Sequence, residues 1–182
     1  MSAPSFDPTH AVRFDLARGT VRAGWPEAPV ILAPSAALAE LVRSAPAHAA
    51  EAFARAIGAS LGARAASRML DPKASSVEDF ATQLAGEAAL SGLGKLGVER
   101  WGRALVIVLA ESTLADALVA PMIAAAIEAS SGRKVECTLL QRDEHAARVL
   151  VSGEGGAKRV RQWIASGTAW GDALVKLHGG AS

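Results

Sequence analysis

Residues 105–109 read Leu-Val-Ile-Val-Leu, five β-rich side chains in a row without polar alternation. A strand with one face in water alternates apolar and polar residues, whereas an unbroken run is typical of a strand that is buried on both faces. The sequence therefore predicts a central strand here, and the other elements have to cover it.

Helical spacing of apolar residues predicts three helices before this strand. The first begins at Pro34-Ser35, the second follows Pro46, and the third begins near Ser76 with a pattern that resembles a capping box. Gly58 and Gly62 stand four residues apart in the second helix, where glycine costs about 1 kcal/mol relative to alanine. Close approach of another element would explain both glycines, although sequence drift explains them equally well.

Strand signals lie at both ends of the chain. Residues 12–21 fit a hairpin, residues 30–32 fit a short strand, and the segments 135–140 and 147–151 fit a second hairpin. A helix carrying Pro121 should connect residue 109 to residue 135, with Ser112 or Thr113 as its cap. Two short amphipathic helices complete the chain.

These elements predict a single α/β domain of the α+β kind, an antiparallel sheet packed with helices. An irregular arm is expected over residues 1–11, the domain over residues 12–153, and a helical extension over residues 154–182. A chain of 182 residues is long enough for one sizeable core.

Composition argues against several classes of function. Nineteen basic and eighteen acidic residues give a net charge of +1, so no broad positive field draws in nucleic acid. The most apolar stretch, residues 104–129, is interrupted by charges and by Pro121, so we expect no membrane span. One cysteine and the absence of a signal-peptide pattern favour a reducing cytoplasm.

Motif by motif, the sequence favours structural roles over chemistry. The segment Gly92-Leu93-Gly94-Lys95-Leu96-Gly97 has the letters of a dinucleotide fingerprint, but it follows a helix and precedes a strand, so a turn is expected. The four histidines lack metal-ligand spacing, and Cys137 is best explained as a core side chain. The basic residues around Arg159 fit a solvated helix face. We therefore expect neither cofactor nor metal.

The chain resembles the superfamily of vinyl-reductase-type domains and TRAPP-complex subunits. The resemblance rests on the order of elements, on the segment Gly58-Ala59-Ser60-Leu61-Gly62, and on the helix from Phe80 through Leu84 to Gly92-Leu93-Gly94. The resemblance covers residues 12–153. It implies an antiparallel sheet with packed helices, a tendency to form homodimers and, in some members, an internal apolar cavity. Many vinyl-reductase-type members carry further cysteines, and this chain has Cys137 alone.

Three functional hypotheses follow. The first is a non-enzymatic homodimer that recognises a protein partner through apolar side chains, namely Leu38, Leu41, Phe53, Ile57, Trp163 and Trp170. The second is a sensor or carrier for a small apolar ligand. Its candidate binding residues are Leu61, Leu84, Val108, Met122 and Cys137, which would otherwise simply fill the core. The third is an enzyme of unrecognised type using Glu111, Ser112 and His145.

Overall fold

The computed structural model describes residues 6–9, 11–23, 28–72 and 75–179. Within these ranges it contains seven strands and six helices. The strands are β1 (Val12–Asp15), β2 (Thr20–Ala23), β3 (Ala28–Val30), β4 (Lys95–Trp101), β5 (Ala104–Ala110), β6 (Glu136–Arg142) and β7 (Ala146–Ser152). The helices are α1 (Ser35–Ser44), α2 (Ala47–Ser67), α3 (Val77–Leu90), α4 (Asp116–Ser131), α5 (Gly156–Ala165) and α6 (Trp170–Gly179).

The strands form two antiparallel sheets rather than the one that the sequence predicts. The small sheet has the order β1-β2-β3, and the main sheet has the order β4-β5-β7-β6. The predicted α+β class with antiparallel strands and packed helices is thus confirmed. Both predicted hairpins are present as β1-β2 and β6-β7.

Strand β5 is covered on both faces, as its unbroken apolar run predicts. Ile107 and Leu109 belong to the larger core, together with residues of α2, α3 and α4. Val106 and Ala104 point to the opposite face and belong to a second core with residues of α5 and α6. The two C-terminal helices therefore pack on the same sheet as α2, α3 and α4, from its other side.

Three helix ends show how local sequence sets the element boundaries. The Ser76 hydroxyl accepts a hydrogen bond from the backbone N–H of Asp79 at 3.0 Å, which is the predicted N-cap of α3. Gly132 ends α4 in the left-handed conformation with φ +69°, again as expected. Residues 91–94 form the turn from α3 to β4, so the glycine-rich segment that begins at Gly92 reverses the chain direction, as the sequence predicts.

The structure differs from the sequence prediction at two strands. Strand β4 was not predicted, because Lys95, Glu99 and Arg100 hide the apolar signal of a strand at the edge of the sheet. The short strand β3 ends at Val30, and Ile31 and Leu32 lie outside it and are exposed.

The start of α4 also differs from expectation. Neither Ser112 nor Thr113 caps this helix, since Ala115 occupies the cap position and makes no side-chain hydrogen bond to the helix. The Ser112 hydroxyl instead accepts from the N–H of Leu114 at 3.3 Å and supports the turn before the helix.

Candidate ligand-binding site

A cavity of about 230 Å³ lies between α3, β5 and α4, on the face of the main sheet that α2, α3 and α4 cover. Helix α3 supplies one wall, strand β5 the floor, and the C-terminal half of α4 with the start of β6 the opposite wall. Its lining residues are Pro72, Ser75, Ser76, Val77, Phe80, Ala81, Leu84, Leu105, Ile107, Ile127, Ser130, Ser131, Arg133, Val135 and Val151.

The apolar walls follow from the periods of the elements that form them. On α3, Val77, Ala81 and Leu84 are separated by four and three residues, so they share one face of the helix. On β5, Leu105 and Ile107 are two residues apart and point to the same side of the sheet. The cavity is therefore the part of this apolar layer that side chains leave unfilled.

Polar residues line the cavity where α4 ends, and we call this part its polar end. Ser130 is 8% exposed, and its hydroxyl donates to the carbonyl oxygen of Ile127 at 2.9 Å. The Ser131 hydroxyl donates to the same oxygen at 2.7 Å and accepts from the backbone N–H of Arg133 at 3.2 Å. A serine oxygen that donates can still accept, so Ser130 retains an acceptor for a ligand hydroxyl. This arrangement of apolar walls with a few polar groups is typical of a small-molecule site.

The five ligand-binding residues predicted from the sequence do not meet in this cavity. Leu84 lines it, whereas Leu61 lines a different cavity. Met122 and Cys137 are buried in the larger core, where the backbone of Met122 contacts α2. Val108 lies between Ile107 and Leu109 on β5 and therefore points to the opposite face of the sheet. The sequence prediction did not include Phe80, Ile107 or Ile127 among the ligand-binding residues, and it did not include the residues of the polar end.

The cavity that includes Leu61 has a volume of about 400 Å³ and lies between the small sheet and the helices α2 and α3. Phe53 and Ile57, which the sequence suggested for a partner surface, also line it. Its polar side is an ion pair in which the Arg64 Nε donates to Glu87 Oε2 at 2.7 Å. Because Arg64 also bonds to the hydroxyls of Ser60 and Ser91, its guanidinium is already well satisfied within the protein.

The other predicted surface residues have different environments. Leu41 is 60% exposed, while Leu38 is half-buried and lines a groove between α1 and α4. Trp163 and Trp170 pack on the second core, and the Trp170 ring meets the edge of Trp101 with centroids 4.8 Å apart. Helices α5 and α6, which carry these tryptophans, thus cover the face of the main sheet opposite α2, α3 and α4.

The residues considered for catalysis lie at one end of the main sheet. The backbone N–H of Glu111 donates to the carbonyl oxygen of His145 at 3.1 Å, which brings these two residues together. Glu111 adopts φ +53°, and both side chains are exposed.

Burial, followed by the negative charge of Glu128, raises the pKa of the Cys137 thiol from 9.0 to about 12, so this sulfur is held neutral.

Two absences among the described residues bear on the class of site. Across the ranges that the structure covers, no group of three His, Cys, Asp or Glu side chains is placed to hold a metal ion. None of the helices described here combines the length and apolarity that crossing a membrane requires.

The fold is shared with a solved structure. The chain is similar to the phenol-responsive sensory domain of the transcription activator PoxR, solved with phenol, with a TM-score of 0.60 over 94% of this chain and 98% of that one. The two sequences are 15% identical, so the likeness shows the fold alone. No protein-family model and no curated protein matches the sequence. Membership of the vinyl-reductase-type and TRAPP superfamily stays a prediction.

Proposed function

We propose that this chain is a small-molecule sensory domain that binds a single-ring aromatic ligand in the cavity between α3, β5 and α4. The observation that carries the proposal is the cavity itself, with apolar walls and a hydroxyl-bearing end. The shared fold with a phenol-responsive sensory domain supports it. A volume of about 230 Å³ suits one aromatic ring with a short substituent.

The polar end gives the ligand an orientation. A phenolic hydroxyl can donate to the Ser130 oxygen, while the ring lies between Phe80 and the β5 side chains. Ser130 is buried, so a ligand hydroxyl that donates to its oxygen gains a hydrogen bond that is shielded from water. The site should therefore prefer hydroxylated rings to unsubstituted ones.

Helix α3 offers a route by which an occupied cavity can change the rest of the domain. One face of α3 lines the cavity, and the same helix carries Glu87, whose carboxylate binds Arg64 of α2 and Arg68 at the C-cap of α2, at 2.7 Å each. The Arg68 guanidinium in turn lies 4.6 Å from the centre of the Phe6 ring, which packs against Gly86. A displacement of α3 on ligand binding would thus move α2 and the N-terminal segment as well.

Calorimetric titration with phenol tests the proposal. Ala81 lines the cavity and Ala89 is exposed on the same helix, so Ala81→Leu fills the site while Ala89→Leu adds the same side chain to the surface. We expect phenol to bind the wild type and Ala89→Leu alike, and Ala81→Leu to weaken binding by about tenfold or more. Absence of phenol binding by the wild type, or equal affinity in all three proteins, would refute the proposal.

A second candidate function, homodimer formation, rests on a separate observation. Several large apolar side chains near the small sheet and α1 are exposed, by 90% for Leu16, 92% for Ile31 and 71% for Leu32. Ile31 and Leu32 are adjacent in the chain. Exposed apolar patches mark interaction surfaces, and we propose a second copy of this chain as the occupant.

Light scattering on a sizing column tests this second candidate. The wild type should have the mass of two chains at high micromolar concentration, and the double variant Ile31→Ser with Leu32→Ser should have the mass of one. Leu70→Ser, which alters an exposed leucine elsewhere, should remain dimeric. A wild type with the mass of one chain would contradict the candidate.

A further inference from the structure

One charged residue, which is exposed to solvent, lines the cavity. Arg133 follows the C-cap of α4 and lines the cavity at its polar end. Among the described lining residues there is no carboxylate and no other charged side chain. Within the part of the chain that the structure describes, the Arg133 guanidinium has no hydrogen-bond or ion-pair partner.

Most other arginines near the larger core are paired, which sets Arg133 apart. Arg64 and Arg68 bind Glu87, Arg55 binds Glu128, and Arg142 binds Asp116 and two backbone carbonyl oxygens. A guanidinium presents a planar set of donors that matches a carboxylate with two parallel hydrogen bonds. An unpaired arginine beside an apolar cavity is therefore suited to a ligand that carries its own carboxylate.

One acidic residue beside the cavity lining already has a partner of its own. Glu78, close to the cavity at the start of α3, is paired with Arg100, since its Oε1 lies 2.6 Å from the Arg100 Nη2. The serines at the start of α3 line the cavity with their uncharged side chains. An anion at this end therefore meets Arg133 without a facing carboxylate from the cavity wall.

We infer that the physiological ligand is a single-ring aromatic carboxylate, with the ring in the apolar cavity and the carboxylate bound by Arg133. This inference rests on the proposed function and narrows its ligand class. The carboxylate offers only acceptors, so it is held by the arginine, while a ring hydroxyl on the same ligand can donate to Ser130. Because Arg133 is exposed, water and salt weaken the ion pair and its contribution is moderate.

Calorimetric titration of the wild type with benzoate and with benzamide is the test. The two probes have nearly the same shape, and only benzoate is charged near neutral pH. We expect benzoate to bind about threefold more tightly than benzamide, with a preference that falls as salt is added. Equal binding, or tighter binding of benzamide, would overturn the inference, and this comparison needs no variant.

Two variants, each lacking one positive charge, test whether Arg133 causes the preference for benzoate over benzamide. Arg133→Gln should bring benzoate down to the affinity of benzamide, and phenol, which carries no carboxylate, reports how far the variant disturbs the cavity itself. Lys134→Gln removes the same charge from the next residue, which is exposed and does not line the cavity, and should keep the preference. A preference that survives in Arg133→Gln, or disappears in Lys134→Gln, would contradict a carboxylate site at Arg133.

The results separate the inference from the proposed function. If phenol binds and Ala81→Leu blocks it, but benzoate shows no preference, the carboxylate inference is wrong and the sensory function stands. If phenol, benzamide and benzoate all fail to bind the folded wild type, both are wrong. Thermal unfolding of each variant confirms that it is folded before its titration is interpreted.

Discussion

Gly58 of α2 lies so close to α4 that a β-carbon built on it would be 2.0 Å from the carbonyl oxygen of Met122. One turn later, a β-carbon on Gly62 would lie 2.1 Å from the carbonyl oxygen of Ala126. No side chain other than hydrogen fits at these distances. The two glycines therefore allow α2 and α4 to pack backbone to backbone, which confirms that close approach of another element explains their spacing. Helix α4 forms a wall of the cavity between α3, β5 and α4, so this contact also fixes that wall.

Replacing Gly58 by alanine should destabilise the protein. Helix propensity alone would make Gly58→Ala stabilising by up to about 1 kcal/mol. The added methyl group instead forces the helices apart, and overpacking of this kind costs about 1–3 kcal/mol. Urea unfolding measures the difference. Gly171→Ala is the matched control, because Gly171 lies in α6 with no atom within 4 Å of a built β-carbon. A stability gain in Gly58→Ala like that expected of the control would contradict the close contact.

Neutralising Glu87 should weaken the link between α2 and α3. Glu87 is 2% exposed and binds both Arg64 and Arg68, so Glu87→Gln leaves two arginines without their counter-charge. Removing one partner from a buried ion pair costs about 3 kcal/mol or more. Thermal or urea unfolding measures the loss.

Glu78→Gln provides the comparison for Glu87, since Glu78 lies on the same helix in an exposed pair with Arg100. We expect little change in its unfolding midpoint, because water screens exposed pairs. Equal stability of the Glu87 variant and the wild type would show that the buried cluster does not hold the helices together.

Cys137 should be unreactive in the folded protein. Its pKa of about 12 leaves almost no thiolate at pH 8, and its side chain is buried beneath the helices. A chromogenic disulfide reagent should therefore react slowly with the native protein and within seconds in strong denaturant. Cys137 is the single cysteine of the chain, so the signal has no background from other thiols. Fast, stoichiometric labelling of the native protein would contradict the burial.

Asp143 should titrate below its ordinary pKa of 3.8. Its Oδ1 accepts from the backbone N–H groups of His145 and Ala146 at 2.9 and 2.8 Å, and these bonds, followed by Arg148, lower the pKa of the carboxyl. A lowered folded pKa means that the charged form stabilises the β6-β7 turn above about pH 3.8 and that this contribution is lost as the pH falls through the folded pKa. Carboxyl-carbon NMR checks the midpoint, and a value at or above 3.8 would be inconsistent with these bonds.

The sequence predicts best those features that local chemistry determines. The apolar run of β5, the Ser76 cap and the Gly132 end of α4 each depend on residues within a few positions, and all three are present in the structure. Strand β4 escaped prediction because it lies at the sheet edge, where charged residues alternate irregularly with apolar ones.

The candidate site was harder to predict for two physical reasons. A strand buried on both faces has no polar residue to mark which side is which, so Val108 could not be distinguished from Ile107, which lines the cavity. Periodicity also shows which face of a helix is buried, but it does not show where the buried layer leaves a gap. For Arg133, the signal was a basic residue directly after a helix C-cap, a position where arginine is common for other reasons.

Methyl NMR with labelled isoleucines and unlabelled phenol tests the central claim most directly, because the six isoleucines sample different regions. Ile107 and Ile127 line the proposed site, Ile57 lines the cavity beside the small sheet, and Ile164 packs on the opposite face of the main sheet. We predict nuclear Overhauser contacts from the phenol ring to the methyl groups of Ile107 and Ile127, and none to those of Ile57 or Ile164. Contacts to Ile57 or Ile164 instead, or no contacts to any isoleucine at saturating phenol, would contradict a ligand site between α3, β5 and α4.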